Sequence, residues 1–209
     1  LDRYEAVFVL DDDLVFNGAD IDRLFGLLKE KDLWVLQPAL HPAGRWSVRF
    51  NCARPFVFMR LVNWVENGCL LFRKDILDRF MDQFDPVLVG WGTDRLLMHM
   101  LGESGRGKVA IVDAIPCLNP HESFKGGVRE IDRLQPLVER KKTWWSFAES
   151  RGIREQPRKV YKTIWKKRVD VGDLRLAWVY LWAYARKQFV RKPLKWFEKK
   201  WRRWVGTGA

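Results

Sequence analysis

The chain has 209 residues, 47% of them hydrophobic and 31% charged, which excludes a disordered segment and leaves room for one sizeable domain with an appendage. Its net charge of +12 is concentrated between Arg158 and Trp204, where sixteen Lys and Arg face three acids, leaving 22 basic and 23 acidic residues elsewhere. A basic tail on a neutral body excludes overall basicity as a guide to the ligand of the fold.

Val7 to Leu10 reads as a short strand covered on both faces. Three carboxylates follow it, Asp11, Asp12 and Asp13. Adjacent anions repel one another, and a cation relieves the repulsion. At spacing two, Asp11 and Asp13 can turn oxygens toward a divalent metal, Mn or Mg, with diphosphate oxygens and water completing its shell. Asp12, pointing the other way, can meet a ribose hydroxyl or a backbone amide. Ordinary turn and cap roles are the plainer alternative.

The segment 17–33 predicts a helix capped by Asp20, with Ile21, Leu24, Phe25, Leu27 and Leu28 as its apolar stripe. "WVLQPAL" predicts a second strand, and residues 41–60 read as a loop. "NWVENGCLLF" is a third strand interrupted by Glu66, a side chain costly to bury unpaired and therefore expected at a polar cleft. "RKDILDRFMDQF" is the helix after it. In "GWGTD", Gly90 and Gly92 permit close ligand approach, Trp91 offers an aromatic platform, and Asp94 opens a helix whose dipole favours the anion. An ionised acid within reach of a hydroxyl can act as a general base, while a simple first-turn acid is the bland reading. "KVAIVDAIPCLNPHESF" predicts a fourth strand leaving through a loop in which His121 is available to a metal. Cys52, Cys69 and Cys117 imply no disulfide framework and read as small core side chains in a reducing compartment.

Strands alternating with helices predict an α/β fold, and in such sheets ligands collect at the carboxyl ends of strands. "YEAVFVLDDDL", "LQPAL", "WVENGCLLF", "GWGTD" and "IVDAIPCLNPH" together resemble, in order and approximate spacing, a family of GT-A-like proteins of plants and bacteria long described only as a domain of unknown function. The likeness covers roughly residues 1 to 125. It implies a GT-A-like mixed sheet flanked by helices and lacking the first strands of that fold, with residues 1–142 as the C-terminal half of a catalytic core. It also implies a metal-dependent glycosyltransferase acting on a nucleotide-sugar donor and a glycan or lipid-linked acceptor. Asp11 and Asp13 then match the DxD metal motif, and Asp94 the acid of the acceptor loop. "GWGTD" also resembles the Trp/Gly/acid loop of β-1,4-galactosyltransferases, where that acid is the base of an inverting transfer. By the same likeness His121 becomes a third metal ligand, and Asp12, Glu66, Gly90, Trp91 and Gly92 become donor or acceptor contacts.

Residues 143–209 read as a basic, Trp-rich helical extension. Leu174 to Ala185 is apolar but too short to span a bilayer. After Pro193, Leu194, Phe197, Trp201, Trp204 and Val205 recur at helical spacing among Lys and Arg. That pattern predicts peripheral association with an anionic membrane surface on the cytoplasmic side. Single-stranded nucleic acid, which basic grooves with stacking aromatics also bind, ranks lower because the charge lies on one amphipathic helix. Two rival functions remain. "DDDLV" has the Asp-x-Asp-x-Val form of haloacid-dehalogenase-like magnesium phosphohydrolases, and a non-catalytic membrane-bound module is the other.

Overall fold

The computed structural model describes residues 3–120 and 130–185. Its strands are β1 (Ala6–Leu10), β2 (Val35–Leu40), β3 (Val57–Val62), β4 (Cys69–Arg73), β5 (Val109–Cys117) and β6 (Val160–Trp165). Its helices are α1 (Gly18–Glu30), α2 (Lys74–Met81), α3 (Thr93–Leu101), α4 (Glu130–Leu134), α5 (Leu137–Ser150) and α6 (Val171–Ala185). The six strands form one mixed sheet in the order β1-β4-β2-β5-β3-β6. β2 and β5 pair in parallel, whereas the other four pairings are antiparallel. The α/β class and the helix-flanked mixed sheet expected from the sequence are therefore present.

Side chains alternate across the pleat and build a core on each face. Val35, Phe72, Val109 and Ile111 join Ile76 of α2, Leu96 and Leu97 of α3 and Trp144 of α5 on one face. Leu36, Leu71, Ala110 and Val112 join Leu24 and Leu28 of α1 on the other. β2, buried at all six positions, can therefore be apolar almost without interruption. Pro38 withholds a ladder donor from this central strand, and the register with β5 shifts between Pro38 and Leu40, the kind of irregularity that tolerates proline.

Several expectations need correction. β1 is an edge strand, not one covered on both faces, with Val9 and Leu10 47% and 39% exposed. The cap of α1 is Asn17, whose Oδ1 accepts from the Ala19 N–H at 3.2 Å, while Asp20 sits in the first turn. The presumed loop 41–60 contains the start of β3, and residues 63–68 cross a face of the sheet before β4 begins at Cys69. The boundary expected after residue 142 falls inside α5, whose Trp144 is in the core. The expected helical extension supplies an edge strand, β6, paired with β3.

Among the described residues, α6 packs against the body by one side only. Its entry is a reciprocal cap, in which the Asp173 N–H donates to Asp170 Oδ1 at 2.9 Å and the Asp170 N–H to Asp173 Oδ2 at 3.1 Å. Leu176 touches the core, and the Tyr180 hydroxyl accepts from Arg49 Nε at 2.9 Å. The Arg49 guanidinium also lies 4.2 Å from the Tyr184 ring centroid. Val171, Leu174, Trp178, Leu181 and Trp182 point outward, Trp178 being 74% exposed. Among the described residues no helix is long and apolar enough to cross a membrane.

Candidate active site

β1 and β2 are both antiparallel to β4 and hence parallel to each other, and β2 is parallel to β5. Their carboxyl ends share one margin of the sheet. Asp11 leaves β1 there, its N–H donating to the Gly68 carbonyl at 2.8 Å. Gly68 has φ +100°, a conformation that favours glycine, and a Cβ on it would lie 2.5 Å from Asp11 Oδ2 and push this carboxylate aside. Asp12 is exposed and Asp13 half-buried in the turn that follows. The end of β5 closes the margin, where Val15 and Leu118 form an isolated bridge. Beneath Asp11 lie two buried thiols, Cys69 and Cys117, with their sulfurs 3.8 Å apart. Burial, the neighbouring thiol and the charge of Asp11 hold Cys69 well above its ordinary pKa, which keeps it a protonated core side chain.

The crossing segment is pinned by polar side chains that sequence reading passed over. The Glu66 N–H donates to Gln37 Oε1 at 2.8 Å, and Glu66 Oε2 accepts from Asn51 Nδ2 at 2.8 Å. Gln37 and Asn51 are fully buried. Glu66 is therefore half-buried, with both its N–H and its carboxylate partnered. Burial raises its pKa, opposed by hydrogen bonds from Asn51 and Ser47. One residue on, Asn67 Nδ2 donates to Thr93 Oγ1 in a short bond.

Thr93 begins α3, and Asp94 lies beside it, almost fully buried. Asp94 Oδ1 accepts from the Arg95 N–H at 2.9 Å, and Arg95 Nη1 stands 3.7 Å away. At the start of α3 the helix dipole favours the Asp94 anion. Desolvation dominates instead, and burial lifts the Asp94 carboxyl above its ordinary value against the pull of Arg95. Asp94 and Glu66 each feel the charge of Arg158, and Glu66 also feels that of Asp94.

The glycines of this loop answer to packing. Gly92 has φ +89°, and a Cβ there would fall 2.1 Å from Trp144 Cδ2; Gly90, at φ +67°, would meet Ile131 Cδ1 at 2.7 Å. The Trp91 ring is flanked by Arg95, 5.4 Å from its centroid, and by the Lys141 ammonium at 4.8 Å. These contacts seat the loop on α4 and α5. α4 was not foreseen, and α5 only from residue 143 onward as part of the helical extension, because their side of the loop shows in sequence only as two glycines.

The segment Glu66–Cys69 thus touches both acidic motifs, Asp11 through Gly68 and the Asp94 turn through Asn67. His121 lies outside the described residues. Two aspartate carboxylates supply hard oxygen donors suited to Mn or Mg, and the space left by Gly68 accommodates one of them. Among the described residues no three His, Cys, Asp or Glu side chains converge as a metal-ligand set, so water and ligand oxygens would fill the remaining positions. Sequence reading missed Gln37, Asn51, Thr93 and Arg158; the signal available was a glutamine inside the otherwise apolar β2. Against known proteins, no family model and no curated protein matches the chain.

Proposed function

We propose that the chain carries the catalytic part of a metal-dependent GT-A-like glycosyltransferase, moving a sugar from a nucleotide-sugar donor to a glycan or lipid-linked acceptor with inversion. The observation that supports this reading is the Glu66–Cys69 segment, which contacts both the Asp11 turn and the Asp94 turn. In the proposed step Asp94 accepts the proton of the acceptor hydroxyl. The acceptor oxygen bonds to the anomeric carbon as the bond to the diphosphate breaks on the opposite face. Asp11 and Asp13 would hold the divalent cation, whose charge offsets that developing on the departing diphosphate. Glu66, fixed by Gln37 and Asn51, would accept a hydrogen bond from a sugar hydroxyl.

The test is incubation with a panel of nucleotide sugars, manganese and mixed acceptors, reading release of nucleoside diphosphate. Release is expected to need the metal and to vanish with EDTA and in the Asp11→Asn and Asp13→Asn variants. Release of orthophosphate from phosphate monoesters, with none of diphosphate from nucleotide sugars, would favour a phosphohydrolase and end the transferase reading.

We also propose that α6 rests on an anionic membrane surface. A helix apolar on nearly all sides is normally enclosed, yet Leu174, Trp178, Leu181 and Trp182 stand in solvent with Arg175, Lys167 and Arg168 nearby. The protein should float with vesicles containing anionic lipid and much less with neutral ones. Replacing Trp178 and Trp182 by Ser should lower partitioning about tenfold or more, since each indole removes a large interfacial contact. Equal flotation of variant and parent would remove this claim.

A further inference from the structure

A cavity of about 560 Å³ lies beside α3, bounded by the end of β3, the Gly102–Gly105 turn and the segment from Arg154 to Tyr161. Its volume falls within the usual range for small-molecule sites. Four arginines line it, Arg95, Arg106, Arg154 and Arg158, with Glu103, Glu155 and His99 as the other ionisable groups besides Tyr161. Arg95 is committed to Glu155 through a short ion pair. Within the lining, Arg106, Arg154 and Arg158 are left with one carboxylate, Glu103, while Arg158 also feels the charges of Asp94 and Glu66 just outside it, and none of the three forms an ion pair among the described residues.

Two of these guanidiniums are held in place by aromatic faces. Arg158 lies 4.1 Å from the Trp64 ring centroid, and Arg106 lies 5.1 Å from that of Tyr161. Stacking fixes the plane of a guanidinium and leaves the N–H groups on its edge free to bind an oxyanion. Like charges gathered round one cavity raise its energy, and a bound anion lowers it. The cavity also borders the candidate active site. Arg95 stands between the cavity and Asp94, and the charge of Arg158 acts on both Asp94 and Glu66.

We infer that this cleft binds the phosphate or carboxylate group of an acidic sugar, with Arg106, Arg154 and Arg158 as the donors, and that the acceptor is such a sugar. The anion site stands on the cleft itself, whereas its role as an acceptor subsite rests on the transferase reading. Guanidiniums pair with phosphate and carboxylate alike through two parallel N–H···O bonds. Neutral sugars lack that interaction.

The test is titration of the full chain, without donor, with glucose 6-phosphate, glucuronate and glucose, followed by calorimetry and by the arginine Nε–H resonances. The two anionic sugars should bind and shift the resonances of Arg106, Arg154 and Arg158, and the tighter one identifies the preferred group. Glucose should do neither. Arg154→Gln, which alters an exposed side chain, and Arg154→Gln/Arg158→Gln should weaken anion binding about 10- to 100-fold, the range of charge-assisted hydrogen bonds. Melting temperatures should confirm that both variants are folded. Glucose binding as tightly as the anions, or the double variant binding them like the parent, would overturn the site. Anion binding that survives Asp11→Asn, in a protein that transfers sugar to none of these acceptors, would keep the cleft and remove its assigned role.

Discussion

Asp94→Asn is expected to lower sugar transfer by about 10²- to 10⁴-fold, the usual contribution of a positioned general base, while donor binding in the presence of manganese persists. The same change should raise stability at neutral pH. Burial holds the folded-state pKa of Asp94 above its ordinary value. A group raised in this way contributes stability fully below its unfolded pKa and loses it as pH rises through the folded one. At neutral pH the ionised carboxylate is a burden on the fold, and asparagine removes the charge while still accepting the Arg95 N–H. Thermal melts from pH 4 to 8 should thus show a smaller decline for the variant than for the parent. The acid limb of the activity profile should lie above the range of an exposed aspartate. Unchanged turnover in the variant would refute Asp94 as the base, and a lower melting temperature would refute the account of its burial.

Asp113→Ala is expected to cost about 3–5 kcal/mol of stability, the usual penalty for orphaning a buried charge. Asp113 and Arg60 are both fully enclosed, joined by Nε to Oδ2 at 2.8 Å and Nη2 to Oδ1 at 2.9 Å. The same aspartate accepts the Arg54 N–H at 2.8 Å, and Arg60 Nη1 donates to the Phe50 carbonyl at 2.6 Å. The pair therefore fastens residues 50–54 to β3 and β5, and Asn51 of that segment carries Glu66. Urea unfolding should show a lowered midpoint with the slope unchanged. Replacing both partners, as in Arg60→Met/Asp113→Leu, should recover most of the loss, because no charge is then left behind. A single variant as stable as the parent would show that the pair holds nothing together.

This ion pair illustrates how much of the molecule was legible. The strand around Asp113 was read correctly from its apolar run. Its partner was not, since "VFMRLV" sits in a stretch that proline, glycine and arginine made look like a loop. β6 was hidden for a similar reason: Lys162, with Lys159 and Lys166 beside it, belongs to an edge strand with a solvated face, and the three read as part of a basic tail. β2 and the helices α1, α2 and α3 were visible because burial imposes an apolar run on a central strand and a periodic stripe on a helix. The acidic turn and the Asp94 loop stood out by composition alone. The link between them did not, because it depends on Gly68, Asn67 and Gln37, residues whose roles exist only once a segment crosses the sheet.

The short 3-10 turn Arg49–Asn51 has a hand in two places: its first residue is gripped by Tyr180 and Tyr184 of α6, and its last holds Glu66. Were α6 to lie on lipid as proposed, the acid cluster would ride at a fixed height and tilt above the leaflet. A hydroxyl tethered in that leaflet would then search two dimensions instead of three, so weak intrinsic recognition would suffice. A water-soluble mimic of the same headgroup would lose that advantage.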